Sequence, residues 1–420
     1  MRLDRLHIQN FRCYEDATFY FQPGFNLVVG VNGSGKTSLL NAAAQSFSDL
    51  FASAGHPMKV SDDDDVRTVI NHHKNGTRFE KIFPLTLACN GDAFKKAHWV
   101  RTKTRLSDES APLPLLNMTH FSPSVLAGDI SLPLIAFYRA DRRWTSEGAT
   151  TEQAAALKLS RLDAYKNWSN AATNLQDFEN WLVKKTLEQL QKAFRSAKPM
   201  SDFDDELSLV NSALQAMLPG SRGLYYDVEL ASLIVDLGNN VVSKFGSLSD
   251  GQRGMVALFT DIARRMCILN PHMGKCVLKE TSGVVIIDEL DIHLHPAWQR
   301  SIVLALKTAF PKIQFIAASH SPQIIGSLKP EEVIILTDGV PSHPRVTYGL
   351  DSSSVLAEVM DVAERDPEIE ALLSELFSTL EDNDPEKAKS LLQALKEKAP
   401  DLPEFLRAEA LMRRKEIIGR

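Results

Sequence analysis

The chain has 420 residues, of which 44% are hydrophobic, 24% charged and 8% aromatic, the composition of a globular protein with a large core. Lysine and arginine number 47 against 53 aspartate and glutamate, a formal net charge of −6, so no chain-wide basic field draws the protein to nucleic acid or to a membrane. The apolar runs are too short to cross a bilayer and the 4 cysteines are scattered, which excludes membrane-embedded and disulfide-rich secreted proteins and predicts a cytoplasmic location.

Strands and one helix are predicted for the N-terminal part of the chain. Loosely alternating apolar residues over 3–11 predict an edge strand with a polar face, and the continuous apolar run 25–29 predicts a buried strand. Residues 37–51 have apolar positions at helical spacing. Residues 52–76 follow as a polar excursion, in which we expect the acidic run 62–65 to lie in solvent, because it lacks the spacing of a calcium loop.

The middle of the chain changes from strands to helices. Short strands are predicted at 82–87 and 134–137. From about residue 150 to residue 218, apolar residues recur at steps of three and four, which predicts a helical arm. The arm contains the aromatic residues Tyr165, Trp168, Phe178 and Trp181. Their spacing is more typical of a helical core than of a surface that stacks on nucleic-acid bases.

A second set of strands and helices is predicted after the arm. Strand-like runs at 225–230 and 233–237 precede a helix-like stretch at 255–266, and buried strands follow at 284–287 and 313–317. Beyond residue 350 the pattern is helical and charged, with one apolar face formed by Ile369, Leu372, Leu373 and Leu376.

A phosphate-binding loop follows the first buried strand. The segment from Gly30 to Thr37 matches G-x-x-x-x-G-K-[ST], and it lies between a predicted strand and a predicted helix, as this loop requires. The glycines let backbone N–H groups turn towards a polyphosphate, and the helix N-terminus adds favourable potential. Lys36 is then expected between the β- and γ-phosphates, and Thr37 is expected to bind Mg²⁺. The predicted nucleotide-binding residues of this loop are Gly30, Asn32, Gly33, Ser34, Gly35, Lys36, Thr37 and Ser38.

Two carboxylates end the buried strand at 284–287. Asp288 is placed to hold Mg²⁺ together with Thr37, and Glu289 is placed to polarise a water for in-line attack on the γ-phosphate. An acidic strand end is common in α/β proteins, but its occurrence together with the phosphate loop favours the catalytic interpretation.

A third motif precedes the helix-like stretch at 255–266. In the sequence LSDGQR of residues 248–253, Ser249 and the N–H groups near Gly251 predict a second anion site at a helix N-terminus. One chain can hardly bring both sites to one phosphate, so two copies would have to face each other. An N-capped helix without a ligand is the alternative, and on its own it is the commoner case.

These motifs resemble, in their order along nearly the whole chain, ATPases with the ABC-type head found in SMC and RecF proteins. The resemblance implies that Ser249, Gly251 and Gln252 complete the ATP site of a second copy, in which Ser249 clamps the γ-phosphate with Lys36. It further implies three roles outside the central motifs. Asp291 bridges the two sites, His320 senses the γ-phosphate, and Arg12 reaches the nucleotide phosphates, with Lys36, Glu289 and His320 as the catalytic set.

The expected fold is an α/β ABC-type P-loop ATPase head, split by a helical arm and followed by a helical C-terminal extension. The expected boundaries are an N-terminal lobe at 1–150, the arm at 151–220, a C-terminal lobe at 221–350 and the extension at 351–420. The expected cofactors are ATP and Mg²⁺.

A narrower resemblance rests on residues 287–299, 161–168 and 348–351. These segments are similar to the ATPase subunit of Septu-type anti-phage systems and of related retron-associated ATPases. The resemblance implies a defence complex in which the nucleotide state of an ATPase dimer or higher oligomer gates a separately encoded HNH nuclease. Nucleic acid would be reached through that complex, and no membrane partner is expected.

The chain departs from the family pattern at two places. Asp250 replaces the usual second glycine of the signature motif. The glutamine expected between the phosphate loop and the arm is not evident in residues 134–143, where Tyr138 or one of the arginines (Arg139, Arg142, Arg143) is the candidate to take its place.

Other interpretations of the sequence are weaker. His293 and His295 have the spacing of some metal ligands, but they directly follow the two carboxylates, so a packing or inter-subunit role is preferred. A serine hydrolase is disfavoured because no G-x-S-x-G occurs. The main alternative function is a RecF-like DNA-repair clamp that binds DNA directly, and a transporter ATPase is disfavoured because no coupling interface is recognisable.

Overall fold

A computed structural model describes residues 1–52, 63–73, 76–93, 96–105, 130–142, 144, 150–172, 175–196, 204–360, 366–382 and 384–418. The chain divides into two compact units, Met1–Ser352 and Ser353–Arg420. Within the described ranges, no helix is both long and apolar enough to span a bilayer.

A six-stranded sheet lies at the centre of the first unit. In spatial order its strands are β15 (Val340–Ser342), β14 (Val333–Thr337), β3 (Phe25–Val29), β13 (Ile313–Ala318), β12 (Gly283–Ile287) and β8 (Leu134–Tyr138). All neighbours are parallel except β14 and β15. Four neighbouring strands are buried along their whole length: β3, β13 and β12 in the interior and β8 at one edge. Burial on both faces explains why their sequences are almost continuously apolar. The buried strands predicted at 25–29, 284–287 and 313–317 are therefore confirmed, and the short strand predicted at 134–137 is present and also buried.

A second, antiparallel sheet contains the N-terminal strand. Its order is β2 (Tyr14–Tyr20), β1 (Arg2–Phe11), β6 (Leu85–Ala93) and β7 (Lys96–Lys103). Strand β1 has a neighbour on each side, so the expectation of an edge strand is wrong. Its polar residues belong to the solvated face of an antiparallel sheet, a pattern that central and edge strands share. The strand predicted at 82–87 begins later, at Leu85.

The excursion after the first helices contains structure of its own. Strands β4 (Thr68–His73) and β5 (Gly76–Lys81) form an antiparallel hairpin. Asp63–Asp65 forms one 3₁₀ turn, while Asp62 lies outside the described residues. Asp65 is only 4% exposed, so the expectation of a solvated acidic run is wrong for this residue. Hydrogen bonds from Arg12 and Gln45 stabilise its buried carboxyl group.

A small three-stranded sheet follows the arm, with the order β11 (Val242–Lys244), β10 (Ser232–Asp236) and β9 (Gly223–Asp227). The helices of the first unit are α1 (Lys36–Ser46), α2 (Ser48–Ala52), α3 (Thr151–Ala156), α4 (Leu175–Ser196), α5 (Glu206–Met217), α6 (Asp250–Leu269), α7 (Val277–Glu280), α8 (Pro296–Ala309) and α9 (Pro322–Ile325). The helix expected at 37–51 is thus two helices, because the backbone of Phe47 caps the first one.

The region predicted as a helical arm contains α3, α4 and α5 together with two 3₁₀ turns. Its aromatic side chains are buried, as predicted from their helical spacing. The rings of Tyr165 and Trp168 pack at a tilt against that of Phe51 of the head, with ring centroids 4.8 and 5.5 Å from that of Phe51. This part of the chain therefore shares a core with the head, and the boundaries of lobes and arm within the first unit stay a prediction.

The second unit is helical, as expected from its sequence pattern. Helix α10 (Ser352–Glu358) begins at the boundary, and α11 (Pro367–Glu381), α12 (Pro385–Lys398) and α13 (Glu404–Ile418) follow. The last three helices have a core of their own, formed by Leu373, Leu376, Leu380, Ala388, Leu392, Leu395, Phe405 and Ala408. Ile369 and Leu372 pack against this core, so the predicted apolar face is directed inward.

Candidate active site

The candidate site lies where three parallel strands end. Strand β13 lies between β3 and β12, so the loop after β3, the carboxylates after β12 and the histidine after β13 meet at one edge of the sheet. A cavity of about 230 Å³ opens there. It is lined by Cys13, Asn32, Gly33, Gly35, Lys36, Thr37, Ser38, Asp288, Glu289, Ala318, Ser319 and His320. The two motifs and His320 are therefore brought together as predicted.

The glycines of the loop have the backbone conformation that the phosphate loop needs. Gly33 and Gly35 have φ of 85° and 104°, where only glycine is unstrained. A Cβ on Gly35 would lie 2.7 Å from Tyr14 Oη and 2.9 Å from Cys13 Sγ. The Tyr14 hydroxyl donates to the Gly35 carbonyl over 3.0 Å, which ties the loop to strand β2. Cys13 lines the cavity although sequence reasoning missed it, since nothing in its local pattern marks it.

Lys36 is buried at the start of α1, with 7% of its surface exposed. Its ammonium donates to the carbonyls of Gly30 and Val31, over 2.9 Å each. Burial lowers the pKa of Lys36, and the carboxylates of Asp288, Glu289 and Asp291 oppose that shift. The ammonium is thus held inside the loop, at the place where a polyphosphate would take over its hydrogen bonds.

Asp288 and Thr37 form the part of the site that could hold a metal ion. Burial raises the pKa of Asp288, and a hydrogen bond from the Thr37 hydroxyl is the largest effect that opposes the shift. A carboxylate beside a hydroxyl supplies the oxygen donors that Mg²⁺ prefers, so the two residues fit this ion.

Glu289 is exposed at the mouth of the cavity and has a φ of 47°. A non-glycine residue in this region carries backbone strain of about 1–3 kcal/mol, which its surroundings must offset. Arg142 does this: its guanidinium donates to the carbonyl of Asp288 over 2.5 Å and to that of Glu289 over 2.8 Å. Among the described candidates for the missing glutamine, Arg142 is the one whose side chain reaches the carboxylate segment.

The other described candidates for the missing glutamine have different partners, and Arg143 lies outside the described residues. The Tyr138 hydroxyl donates to Asp261 over 2.8 Å inside the core, where Arg264 and Arg265 also bind the same carboxylate at 2.6 and 2.7 Å. Arg139 donates to the carbonyl of Ser169. Tyr138 thus belongs to a buried structural cluster, and its side chain does not line the cavity.

Arg12 is bound to the acidic turn. Its Nε donates to Asp65 over 2.6 Å, and the other oxygen of Asp65 accepts a hydrogen bond from Gln45, also at 2.6 Å. Arg12 is not among the residues that line the cavity, so its reach to the nucleotide phosphates stays a prediction. The pair also explains why Asp65 is buried.

Asp291 and His320 lie together beside the carboxylates. The backbone N–H of His320 donates to Asp291 over 3.4 Å. Burial and the charge of Lys36 lower the pKa of His320, although three carboxylates oppose this. The imidazole is therefore neutral at physiological pH and can accept or donate a hydrogen bond at a phosphate.

The signature residues do not line the cavity of their own chain. Ser249 caps α6, with its hydroxyl oxygen 3.3 Å from the Gln252 backbone nitrogen, and the Gln252 side chain accepts from the Ser249 backbone over 3.2 Å. Gly251 packs on the segment after Glu289, since a Cβ there would lie 2.1 Å from the carbonyl oxygen of His293. The capped helix weighed as the alternative is present with Ser249 exposed, and an anion site at this helix end stays a prediction.

The H-x-H pair has no metal-binding surroundings in the described part of the chain. His295 caps α8, and its Nδ1 accepts from the backbone of Ala297 over 3.3 Å. His293 is exposed with a φ of 60°. His295 therefore has a structural role as a helix cap, while a packing or inter-subunit role for His293 stays a prediction.

The chain matches one protein family and is similar in sequence to the three proteins described here. A family model described as "AAA domain, putative AbiEii toxin, Type IV TA system" matches residues 25–326. The chain is 26% identical to "Retron Ec83 probable ATPase" of Escherichia coli, over 88% of this chain and 78% of that protein. It is 23% identical to "Septu protein PtuA" of Bacillus thuringiensis, over 87% of this chain and 86% of that one. It is also 23% identical to "DNA replication and repair protein RecF" of Clostridium botulinum, over 82% and 86%.

Proposed function

The chain belongs to the family described as "AAA domain, putative AbiEii toxin, Type IV TA system", and from this premise we propose that it is the ATP-driven switch of an anti-phage defence complex. It is an ATPase of the ABC type related to SMC and RecF proteins, and its retron and Septu relatives support the defence role. In the proposed complex two copies close over two Mg-ATP molecules, and closure gates a partner HNH nuclease.

One observation carries the proposed mechanism: the binding and catalytic groups meet in one cavity, while the signature serine lies outside it. The loop glycines and Lys36 bind the phosphates. Thr37 and Asp288 would hold Mg²⁺, and the bound ion would supply positive charge that stabilises the negative charge of the phosphates. Glu289 accepts a proton from the attacking water, and the neutral His320 detects whether the γ-phosphate is present.

In a closed dimer, each chain would supply the signature residues that the other chain's nucleotide cavity lacks. The capped N-terminus of α6 offers the Ser249 hydroxyl and unpaired backbone N–H groups to an anion. Because this end is on the surface, it can bind the γ-phosphate held by a second copy. We therefore assign Ser249, Gly251 and Gln252 to the partner's site, with Asp291 between the two sites.

Mixing two inactive variants tests this shared site. Lys36→Ala prevents ATP from binding in the cavity of its own copy. Ser249→Arg prevents its copy from completing the ATP site of the partner copy. A mixture contains heterodimers with one intact site. About half the dimers are mixed and each has one intact site of two, so we expect activity of at most about a quarter of wild-type hydrolysis, and less to the extent that the two sites are coupled. The matched control mixes Lys36→Ala with Glu289→Gln, which damages both cavities and restores nothing. If the first mixture is as inactive as its components, the trans assignment is wrong.

The partner nuclease is tested with the second unit. We place its docking site on residues 353–420, because this unit has its own core and is helical, and helix faces commonly bind partners. The full chain should co-purify with the proposed HNH partner, and a variant that ends at residue 352 should hydrolyse ATP but not retain that protein. Equal capture by both variants contradicts the placement.

A DNA-repair clamp is the second candidate, and the RecF relative, which covers 82% of this chain, is the observation that favours it. A clamp would bind duplex DNA without any partner. Its affinity would then fall steeply with salt, by about one power of salt concentration for each phosphate contacted. Salt titrations of the purified ATPase in the presence of ATP distinguish the two candidates, since the defence switch requires the partner for nucleic-acid binding.

A further inference from the structure

The phenol of Tyr14 lies against the phosphate loop, although Tyr14 is not among the residues that line the nucleotide cavity. Tyr14 is the first residue of β2, and a two-residue turn of Arg12 and Cys13 joins it to β1. Both residues of this turn are placed by other parts of the unit, since Cys13 lines the cavity and Arg12 donates to Asp65. The turn therefore fixes the start of β2 next to the loop.

The ring of Tyr14 is held by its neighbours, so its hydroxyl has a defined position. Only 2% of the residue is exposed. Its ring meets that of Phe19 edge-on, with centroids 5.5 Å apart, and a Cβ built on Gly339 would lie in contact with the ring at 3.5 Å. Burial raises the pKa of Tyr14, so the hydroxyl keeps its proton. The hydroxyl is therefore a donor whose direction is set by the fold.

The acceptor of this donor belongs to the peptide that joins Gly35 to Lys36. The Gly35 carbonyl accepts from the Tyr14 hydroxyl over 3.0 Å and from the Leu39 backbone N–H over 2.9 Å. Because a peptide unit is planar and trans, the N–H of Lys36 points in the opposite direction, away from α1 and into the loop. This N–H is one of those that the start of a helix offers to a phosphate. A bond that holds the carbonyl therefore also holds a donor for the nucleotide.

Gly35 itself restrains this peptide weakly. It has no side chain, its φ is 104°, and Gly33 before it also has a positive φ, of 85°. Glycine has more backbone freedom than any other residue, so the loop loses conformational entropy when a phosphate orders it. A contact that orders the loop beforehand reduces this cost and raises affinity. The hydrogen bond from Tyr14 is a contact of this kind, and it also polarises the peptide, which strengthens the N–H at its other end as a donor.

We propose that Tyr14 is a positioning residue for nucleotide binding: its hydroxyl fixes the peptide between Gly35 and Lys36, so that the Lys36 N–H faces the polyphosphate before the nucleotide arrives. The inference rests on the nucleotide-binding role proposed for the loop. It concerns affinity and not the chemical step, because Asp288 and Glu289 follow a different strand, β12.

Tyr14→Phe removes the hydroxyl and keeps the ring. ADP is the probe, because it binds through its phosphates and is not hydrolysed. We expect the Kd for ADP, measured by isothermal titration calorimetry on the full chain, to rise about two- to tenfold, the range for loss of one hydrogen bond between neutral groups. The KM for ATP should rise by a similar factor, while kcat changes less than about twofold, because the lost interaction serves ground state and transition state alike.

Tyr165→Phe is the matched control. Tyr165 is also buried, and its hydroxyl donates to the carbonyl of Pro133 over 2.7 Å, but it does not line the nucleotide cavity. A purely structural role predicts that both variants lower the melting temperature and that neither changes the Kd for ADP. The positioning role predicts that only Tyr14→Phe raises this Kd.

Three results overturn the inference: an unchanged Kd in Tyr14→Phe, an equal rise in Tyr165→Phe, or a Tyr14→Phe variant that does not fold, since the hydroxyl would then serve the fold and not the loop. A wild-type chain that binds no ADP contradicts the nucleotide-binding role of the loop itself. The measurement needs neither a dimer nor a nuclease, so failure of the proposed defence complex leaves the inference intact.

Discussion

The two hydrogen bonds from Arg142 to the segment that carries Glu289, the proposed catalytic carboxylate, can be tested by a single conservative change. Arg142→Lys keeps the positive charge but removes the planar fork, and one ammonium cannot reproduce two hydrogen bonds of fixed geometry to the carbonyls of Asp288 and Glu289. Arg139→Lys is the matched control, since Arg139 is close in sequence and donates to Ser169 in the arm.

The size of the effect follows from the bonds that are lost. A hydrogen bond from a charged donor contributes about 1.5–3 kcal/mol, and the strained backbone of Glu289, with φ of 47°, costs about 1–3 kcal/mol that these bonds offset. Losing one of the two bonds therefore lets the segment relax by a comparable free energy. If Glu289 is in place for only a small fraction of the time, kcat falls about 10- to 100-fold.

The assay separates hydrolysis from binding. Steady-state release of phosphate gives kcat, and fluorescence titration with a non-hydrolysable ATP analogue gives Kd. We expect Kd to change less than about threefold, because Arg142 does not line the nucleotide cavity. An unchanged kcat, an equal loss of binding, or the same defect in Arg139→Lys would refute the reasoning.

Three further predictions concern other parts of the first unit. Glu289→Gln should retain ATP binding and accumulate as a closed dimer, visible as an ATP-dependent shift in light scattering; a variant that stays monomeric with ATP contradicts the proposed closure. Gly251→Val should lower the melting temperature and abolish hydrolysis, because the first atom of its side chain would lie 2.1 Å from the carbonyl of His293, whereas Gly246→Ala, with open space at its Cβ, should change neither. Asp261→Asn should lower the free energy of unfolding by about 3–5 kcal/mol in urea titrations, since it leaves two buried arginines without their carboxylate. Burial alone would raise the pKa of Asp261, but Arg265 and Arg264 lower it below its ordinary value. The wild-type advantage over Asp261→Asn should thus be complete above pH 3.8 and disappear as the pH falls through the lowered pKa, and a pH-independent difference would argue against this origin.

The parts of the site that the sequence predicts are contiguous in the chain. In the loop from Gly30 to Thr37, the glycines themselves allow the positive φ angles that the loop needs. In the strand before Asp288, the unbroken run of apolar residues predicts that the strand is buried. Their meeting at one sheet edge follows from the parallel order of the strands. Local pattern therefore suffices for the phosphate loop and the two carboxylates, but not for Cys13, which also lines the cavity.

The contacts that the sequence does not reveal join distant segments. Arg12 meets Asp65 across 53 positions, and Arg142 meets Asp288 across 146. Both arginines look like surface residues in sequence, and only the tertiary structure decides which carboxylate or carbonyl each one binds. The same reason explains why β1 was expected to be an edge strand. Its second neighbour, β6, is distant in sequence, and the alternation of apolar and polar residues in an antiparallel strand is the same with one neighbour or with two.

The close approach of Gly251 to the carbonyl of His293 has a mechanical consequence for the proposed dimer. With no side chain between them, the start of α6 and the segment that leaves Glu289 cannot slide past each other. In the proposed dimer, a displacement of Ser249 caused by ATP in the opposite site would therefore also displace Glu289 of the same copy. Hydrolysis at the two sites would then be coupled, and the rate should depend on ATP concentration with a Hill coefficient above one.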